Sequence, residues 1–333
     1  MLEVGIDTSA LALTRAGTSR YLTELLAAFD QEPNLELRRY EFRGHGRLRK
    51  VVRDTFWYLL ALPREARSDG VDVLHAPSQR APFRSEVPLV VTIHDVAVLR
   101  HPEAFNRWTR AYSAFALPRV ARAARTIVVG SEFTRGEVIE LLEAPEDRVR
   151  VIPYGVGDPF AADGPADDGD YVLAVSTLEP RKNLERLVEG FQRASLDGLE
   201  LRVVGAEGWG DVRVGGENVR WLGGVGDGEL ARLYRGAACV AYVSLYEGFG
   251  LPVLEAMASG APVVAPAGPP YDEFADGVAV PVDPRDAESI AAGLQAAVRR
   301  REELGALGPE RALRYSWADA AAAHLEVYRE AAA

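Results

Sequence analysis

Two glutamates, Glu247 and Glu255, bracket a Gly-Phe-Gly-Leu-Pro turn in the stretch YEGFGLPVLEAMASG, residues 246–260. The two glycines of this turn carry no side chains, so a ligand can approach the backbone closely. Pro252 suits the first turn of a helix, whose free N–H groups and positive end favour an anion such as a diphosphate. Glu255 could then accept hydrogen bonds from ribose hydroxyls, and Glu247 could face whatever the diphosphate carries. The alternative is an acidic turn in which Glu247 only caps the helix.

A pair of cations, Arg181 and Lys182, follows another apolar run in the stretch YVLAVSTLEPRKNLERL. If both apolar runs are parallel strands, the pair and the glutamate turn lie at the same carboxyl edge of one sheet. Both cations could then reach the same diphosphate. The alternative is a solvated basic turn before a helix capped by Asn183. The chain contains only one other lysine, Lys50, which singles out Lys182.

The first half of the chain offers two weaker candidates. The loop TRAGTSR, residues 14–20, links the first strand to the first long helix and could form the opposite wall of a phosphate pocket. The loop is not a GxGxxG motif, so the sequence lacks the fingerprint expected of a dehydrogenase. His94 ends the strand VVTIH at a carboxyl edge, where either a catalytic or a packing role is open. No CxxC or HExxH pattern occurs, so no metal site and no cofactor are expected.

Parallel strands with intervening helices are the elements that would position these residues. The runs LEVGID, VDVLHA, PLVVTIH, TIVVGS and VRVIPYG, and then YVLAVST, LELRVVG, VRWLGG, CVAYVS, PVVAP and VAVPVD, are short and nearly continuous, as in strands covered on both faces. The polar stretch GDPFAADGPADDGD separates the two sets and is the best candidate for a linker. We therefore predict an α/β protein with two facing Rossmann-like domains, residues 1–165 and 166–314, and a last helix, 315–333, that packs back on the first.

Composition limits the classes of function. The 333 residues carry 38 basic and 49 acidic side chains, a net charge of −11, which argues against a nucleic-acid-binding protein. The first residues have neither a basic start nor an apolar h-region, and no apolar stretch is long enough to span a membrane, so we expect a cytoplasmic protein. The single cysteine, Cys239, cannot form an internal disulfide and fits a reducing compartment.

One segment has the opposite charge. Residues 38–67 carry nine basic and three acidic side chains, together with the apolar run FWYLLAL. Such a segment could contact the anionic inner face of a membrane, which would suit a lipid-linked acceptor. The alternative is a domain helix whose arginines are merely solvated.

Taken together, these motifs resemble glycosyltransferase family 4, the retaining nucleotide-sugar enzymes of the GT-B fold. The resemblance covers nearly the whole chain, and its most specific part is the Glu-x7-Glu motif from Glu247 to Glu255. The matching stretches are GTSRY, TIHDVAVLRHPEAF, GSEFTRGEVIELL, VIPYGV, TLEPRKN, WLGGV, SLYEGFGLPVLEAMASGAPVV and YSW.

The resemblance implies roles for individual residues. Glu255 would bind the ribose, Glu247 would bind the transferred sugar near its C3 hydroxyl, and Arg181 and Lys182 would neutralise the departing diphosphate. His94 would contact the sugar from the first domain. The remaining donor contacts would come from the backbone at Gly17, Phe249, Gly250 and Leu251. Retention would proceed by same-face attack, assisted by the leaving phosphate, without a protein nucleophile and without a metal.

The sequence also departs from the family pattern. Ser19 replaces the second glycine of the first loop, and Thr177 stands where many members have arginine, which here is Arg181. Tyr154 replaces the asparagine of the domain-linking PNGV. The stretch AGPPYDEF, usually rich in serine, keeps Glu273 at a familiar acidic place.

The expected function is transfer of a hexose from a nucleoside-diphosphate sugar, GDP-mannose or a UDP-hexose, to a hydroxyl acceptor. The acceptor would be a glycan, a lipid-linked glycan or a small molecule. Two alternatives stay open at this point: a nucleotide-sugar-binding protein without transferase activity, and an epimerase of the GT-B fold. A phosphorylase would need a pyridoxal cofactor and is normally much longer.

Overall fold

The computed structural model describes residues 1–13, 17–42 and 52–333. The chain forms two compact units. The first comprises Met1–Gly155 and the final segment Trp317–Ala333, and the second comprises Val156–Ser316. Each unit is a parallel sheet covered by helices, so the α/β class predicted from the sequence is confirmed.

The first unit contains a six-stranded parallel sheet in the order β2-β1-β3-β4-β5-β6. Four of its strands, β1, β3, β4 and β5, form the buried middle of the sheet, which explains their nearly continuous apolar sequences. The strands are β1 Leu2–Asp7, β2 Leu35–Tyr40, β3 Val73–Ala76, β4 Leu89–Thr92, β5 Thr126–Val129 and β6 Val149–Val151.

The helices of the first unit cover the sheet. The last helix of the chain, α12, belongs to this unit, where it packs on α2: the Tyr21 hydroxyl lies 2.8 Å from Nε2 of His324. In chain order the helices are α1 Ser9–Leu13, α2 Gly17–Phe29, a π-helix Arg53–Ala61, α3 Leu62–Asp69, α4 Ala97–Arg100, α5 Arg107–Ala123, α6 Glu132–Leu142 and α12 Trp317–Ala332; short 3-10 turns lie at Pro102–Ala104 and Glu146–Arg148.

The second unit contains another six-stranded parallel sheet, in the order β12-β11-β10-β7-β8-β9. Its strands are β7 Tyr171–Val175, β8 Glu200–Val204, β9 Val219–Gly223, β10 Cys239–Ala241, β11 Val263–Pro266 and β12 Ala279–Val282. Its helices are α7 Leu184–Ala194, α8 Asp227–Gly236, α9 Leu251–Ala258, α10 Ala287–Arg299 and α11 Arg301–Ala312, with 3-10 turns at Pro180–Lys182 and Tyr271–Glu273.

The core of the second unit lies between this sheet and the helices α7 and α10. Leu187 and Phe191 of α7 and Ile290 and Leu294 of α10 are buried against strand residues such as Leu201. The spacing of these residues along each helix places them on one apolar face, which explains why the two helices pack on the sheet.

The strand order of the second sheet creates a switch point. The chain runs from β7 outward to β8 and β9, and then returns to place β10 on the other side of β7. Cys239 of β10 pairs with Val172 of β7. Loops that leave the carboxyl ends of two such neighbouring strands diverge and open a crevice, which is where open α/β sheets bind ligands.

The segment expected to link the domains packs on the second unit. Phe160 lies 5.8 Å from the ring of Tyr234, and Arg235 donates to the carbonyls of Pro159 and Ala161. The division between the units therefore falls after Gly155, whereas the sequence analysis placed it after residue 165.

Candidate active site

The cationic pair and the glutamate turn come together at the switch point of the second sheet. Arg181 and Lys182 follow β7, and Glu247 follows β10. A backbone hydrogen bond of 2.9 Å from Leu245 N–H to the Arg181 carbonyl joins the two loops. Both motifs were expected at one carboxyl edge of the sheet, and the fold places them within hydrogen-bonding distance of each other.

Glu247 is the centre of a charged cluster. One oxygen, Oε1, accepts from Lys182 Nζ at 2.6 Å and from Ser244 Oγ at 2.6 Å, and lies 3.0 Å from a guanidinium nitrogen of Arg181. The side chains of Glu247 and both cations are only 11% exposed. The alternative of a solvated basic turn is therefore wrong, because the cations are largely withdrawn from water and held on one carboxylate.

The cluster keeps Glu247 ionised over a wide pH range. Burial by itself raises the pKa of this carboxyl, but the charges of Arg181 and Lys182 and the hydrogen bonds from Lys182 and Ser244 outweigh it. The net result is a pKa of about 2. Glu247 is therefore a carboxylate at every physiological pH, suited to accept hydrogen bonds and unsuited to donate a proton.

A second carboxylate, Glu179, belongs to the same cluster, and the sequence analysis assigned it no role. Its Oε1 accepts from Arg181 at 3.0 Å and from the Thr177 hydroxyl at 3.3 Å. The side chain is 3% exposed, and Oε2 has no hydrogen-bond partner among the described residues. The sequence offered one signal for Glu179, which is an acid two residues before the cationic pair. The burial of Glu179, however, follows only from the tertiary fold.

Two tyrosines complete the surroundings of Glu247. The Tyr242 hydroxyl accepts from Lys182 Nζ at 2.9 Å. Burial, followed by the charge of Glu247, raises the pKa of both Tyr242 and Tyr271 well above the usual value. The Tyr271 hydroxyl is buried without a partner in the described part of the chain. Tyr271 lies in the stretch AGPPYDEF, whose departure from the family pattern was noted but whose contacts were not predicted.

The glycine turn has a backbone that requires glycine. Gly250 has φ +106°, and a Cβ added there would lie 2.9 Å from the Tyr271 ring. Leu251 then begins α9, with Pro252 in its first turn. The first N–H groups of a helix have no intrahelical acceptor, so the opening of α9 keeps the anion-binding character expected from the sequence. The side chains of Phe249 and Leu251 are buried, and contact of their backbone amides with the donor stays a prediction.

Glu255 is a buried residue of α9. It is 4% exposed, and its Oε2 accepts a hydrogen bond of 3.2 Å from the Tyr234 hydroxyl. Its ribose-binding role stays a prediction.

Asn183 does not cap α7 with its side chain, as the basic-turn alternative supposed. Its amide nitrogen donates to the carbonyls of Val243 and Pro284, at 3.1 and 2.6 Å. The reason is its left-handed backbone, with φ +60°, which differs from the extended conformation usual for a capping residue. Asn183 thereby ties the loop that carries the cations to two other loops of the second unit.

His94 is held firmly inside the first unit. Nε2 lies 3.1 Å from the Pro77 carbonyl and Nδ1 lies 2.6 Å from the Tyr154 hydroxyl. Because a carbonyl can only accept, Nε2 carries the proton and Nδ1 accepts from Tyr154. Burial lowers the pKa of His94, which favours this neutral form. A contact between His94 and a sugar stays a prediction, and it would have to form beside these two hydrogen bonds.

Two further positions of the first unit were singled out from the sequence, Gly17 and Tyr154. Gly17 begins α2, and a Cβ added to it would meet no atom of the described residues within 4 Å, so their packing does not demand glycine there. Its predicted contact with phosphates is untested, and residues 14–16 of the same loop lie outside the described residues. Tyr154 stacks on Trp317 at 6.3 Å in addition to its bond with His94, which accounts for a tyrosine at this position.

Two kinds of feature are absent from the described residues, a metal-binding cluster and a membrane-spanning helix. No group of three or more His, Cys, Asp or Glu side chains has an arrangement that could hold a metal ion in that part of the chain. Likewise, none of the described helices combines the length and apolar composition that a membrane span requires.

Comparison with solved structures defines the class of fold. Sucrose-phosphate synthase from Thermosynechococcus elongatus superposes with a TM-score of 0.79 at 19% identity, covering 99% of both chains. Anabaena HepE, solved with UDP and glucose, superposes with a TM-score of 0.75 at 16% identity, covering 99% of this chain and 100% of that one. The two parallel α/β units are therefore those of the GT-B fold.

Comparison with sequences identifies the family. The family model described as Glycosyltransferase Family 4 matches residues 5–158 of the sequence. The family model described as Glycosyl transferases group 1 matches residues 159–311. The O-antigen chain mannosyltransferase B of Escherichia coli is 30% identical over 98% of this chain and 96% of its own length. An MMP alpha-(1->4)-mannosyltransferase of Mycolicibacterium hassiacum is 28% identical over 74% of this chain and 66% of its own. The chain belongs to glycosyltransferase family 4 and is a glycosyltransferase.

Proposed function

We propose that this enzyme transfers a hexose, with retention, from a nucleoside-diphosphate sugar to a carbohydrate or lipid-linked hydroxyl. The observation that carries the proposal is the buried pair Arg181 and Lys182, held on Glu247 at the switch point of the second sheet. Two consecutive cations on one loop, beside the loop that leads into α9, suit a leaving group with two phosphates.

GDP-mannose is the first donor to test. Relatives named as mannosyltransferases support mannose as the sugar. Anabaena HepE, whose fold is similar, has been solved with UDP-glucose and makes a UDP-hexose the second donor to test. The name of the Escherichia coli relative supports a polysaccharide acceptor such as an O-antigen chain.

We infer a part for each residue of this site. Arg181 and Lys182 would stabilise the charge that develops on the departing diphosphate. Glu247, which is ionised at neutral pH, would accept hydrogen bonds from the transferred sugar. Glu255 would bind the ribose, and the backbone amides of Phe249, Gly250 and Leu251 would bind the donor.

A panel of UDP, GDP, TDP and ADP sugars tests the donor by thermal shift, because a ligand that binds the native state raises its melting temperature. Product formation with the best donor then tests transfer. Lys182→Ala should lower transfer by about 10²–10³-fold, as for loss of one charge-assisted contact in a transition state. Arg213→Ala is the matched control, since Arg213 is a cation of the same unit that is 83% exposed. Normal transfer by Lys182→Ala, with an unchanged melting temperature, would contradict the proposal.

Peripheral contact of residues 38–67 with a membrane stays a prediction. Residues 43–51 of that segment lie outside the described residues. The described arginines are largely engaged: Arg38 with Glu3 and Glu36, Arg39 with Asp30, Arg53 with Asp54, and Arg67 with Glu86.

A further inference from the structure

Helix α5 of the first unit carries a row of aromatic side chains on its surface. Trp108 is 59% exposed and Phe115 is 52% exposed, which is unusual for side chains of this size. Tyr112 lies between them and stacks on Trp108 with ring centroids 6.3 Å apart. The spacing 108, 112, 115 places the three rings on one face of the helix. We call the surface formed by these three rings together with Arg119 and Arg122 the α5 face.

The charges of the helix are all of one sign. Its sequence, RWTRAYSAFALPRVARA, contains four arginines and no acid, in a chain with a net charge of −11. Arg119 and Arg122 continue the aromatic row along the same face, four and seven positions after Phe115. The guanidinium of Arg119 lies 3.6 Å from the centre of the Phe115 ring. None of the ion pairs between described residues involves an arginine of this helix, in contrast to Arg38, Arg39, Arg53 and Arg67.

The helix that carries the α5 face is capped at its start and packed against the rest of the first unit. Asn106 caps the helix by accepting a hydrogen bond of 2.9 Å from the Thr109 N–H. The opposite side of the helix, which includes Leu117 and Val120, is buried in the unit. Phe115 also meets Phe83 of a neighbouring loop, with ring centroids 6.0 Å apart. The aromatic rings are therefore held outward by the packing of the helix.

We propose that the α5 face docks this enzyme on an anionic lipid surface. Helices at a membrane interface combine arginine with Trp and Phe, because aromatic rings enter the boundary between headgroups and acyl chains while guanidinium groups contact anionic headgroups. The charge of the helix is complementary to such a surface and opposite to that of the whole chain. A neutral glycan would also stack on the rings but would not account for Arg119 and Arg122 beside them, which form no ion pair with any described residue.

Vesicle flotation tests the proposal with the full chain. The protein should float with phosphatidylcholine vesicles that contain phosphatidylglycerol, and should not float with phosphatidylcholine alone. Salt should weaken the binding, because exposed charges are screened. Trp108→Ala combined with Phe115→Ala should lower the partition coefficient at least about tenfold, and so should Arg119→Gln combined with Arg122→Gln.

Trp209→Ala is the matched control, because Trp209 is 46% exposed on the second unit and should not affect flotation. Circular dichroism and melting temperature establish that each variant is folded. A blue shift of tryptophan emission on adding anionic vesicles, absent in Trp108→Phe, would support the assignment without relying on a double variant.

Several outcomes would overturn the proposal: no flotation of the native protein, equal loss in Trp209→Ala, or unchanged binding in both α5 double variants. Saturable binding of a soluble glycan by the α5 face without flotation, or a dimer in solution that the α5 variants abolish, would also overturn it. The assay contains neither donor nor acceptor, so its failure leaves the proposed transfer untouched. Failure of the transfer assay likewise leaves the docking proposal untouched.

Discussion

The ion pairs of Glu247 should make a measurable and pH-dependent contribution to the stability of the second unit. The pKa of this carboxyl falls from an ordinary value of 4.5 to about 2 in the folded chain. The side chain is largely buried, so solvent screens the interaction little. A difference of this size corresponds to about 3 kcal/mol of unfolding free energy at pH 7.

The direction of the pH dependence follows from the lowered pKa. The contribution is fully present above the ordinary pKa, and it is lost as the pH falls from about 4.5 toward 2, because the unfolded chain takes up the proton first. Glu247→Gln removes the contribution at every pH and leaves Arg181 and Lys182 without their shared carboxylate. We therefore expect a loss of about 3 kcal/mol at pH 7 that shrinks to about 1 kcal/mol at pH 3.

Urea titration followed by hydrogen exchange of β7 and β10 peptides measures the unfolding of the second unit. Glu288→Gln is the matched control, since Glu288 pairs with Arg193 but is 72% exposed. It should change the unfolding free energy by less than about 1 kcal/mol at either pH. Equal losses in the two variants, or a loss from Glu247→Gln that is the same at pH 7 and pH 3, would refute the reasoning.

Three further substitutions test the interior of the units, two of them in the second unit and one in the first. Tyr271→Phe removes a buried hydroxyl without a partner among the described residues, so urea unfolding should show an unfolding free energy that is equal or up to about 1 kcal/mol higher. Gly250→Ala places a Cβ 2.9 Å from the Tyr271 ring at φ +106° and should cost more than about 1 kcal/mol in the same experiment. Burial lowers the pKa of His324 to about 4. Protonation of His324 should therefore lower the unfolding free energy of the first unit by about 3 kcal/mol as the pH falls from 7 to 4. His324→Gln should remove this part of the pH dependence, measured by hydrogen exchange of α12 peptides, and leave the part that comes from His75 and His94, whose pKa values burial also lowers.

The strands could be predicted from sequence where both faces of the sheet are buried. Runs such as TIVV and VVAP are short, apolar and β-branched, and they became β5 and β11. Strand β2 was missed because its sequence, LELRRY, alternates apolar and charged residues. It lies at the edge of the sheet, where half of its side chains meet water, and its two arginines were counted instead as part of a basic patch.

The candidate site could be predicted in part for a similar reason. Arg181, Lys182 and Glu247 were found because they directly follow strands of one sheet, and parallel strands present their carboxyl ends at one edge. Glu179 and Tyr271 were not assigned, because a buried carboxylate oxygen or hydroxyl becomes informative only when its surroundings are known. Sequence spacing indicates which loop a residue occupies. Which side chains that residue contacts depends on which other loop packs against its own.

The charge balance of the cluster supports the proposed contact between Glu247 and the transferred sugar. Two carboxylates, Glu179 and Glu247, neutralise Arg181 and Lys182 in the structure. A diphosphate that approaches this pair adds further negative charge and competes with Glu247 for the cations. If Lys182 turns toward phosphate, Glu247 loses a 2.6 Å ion pair and needs other donors, because a buried carboxylate with too few partners is costly. Hydroxyl groups of the sugar on that diphosphate are the donors that arrive with it. Binding of the leaving group and recognition of the sugar would then be one coupled event at the same carboxylate.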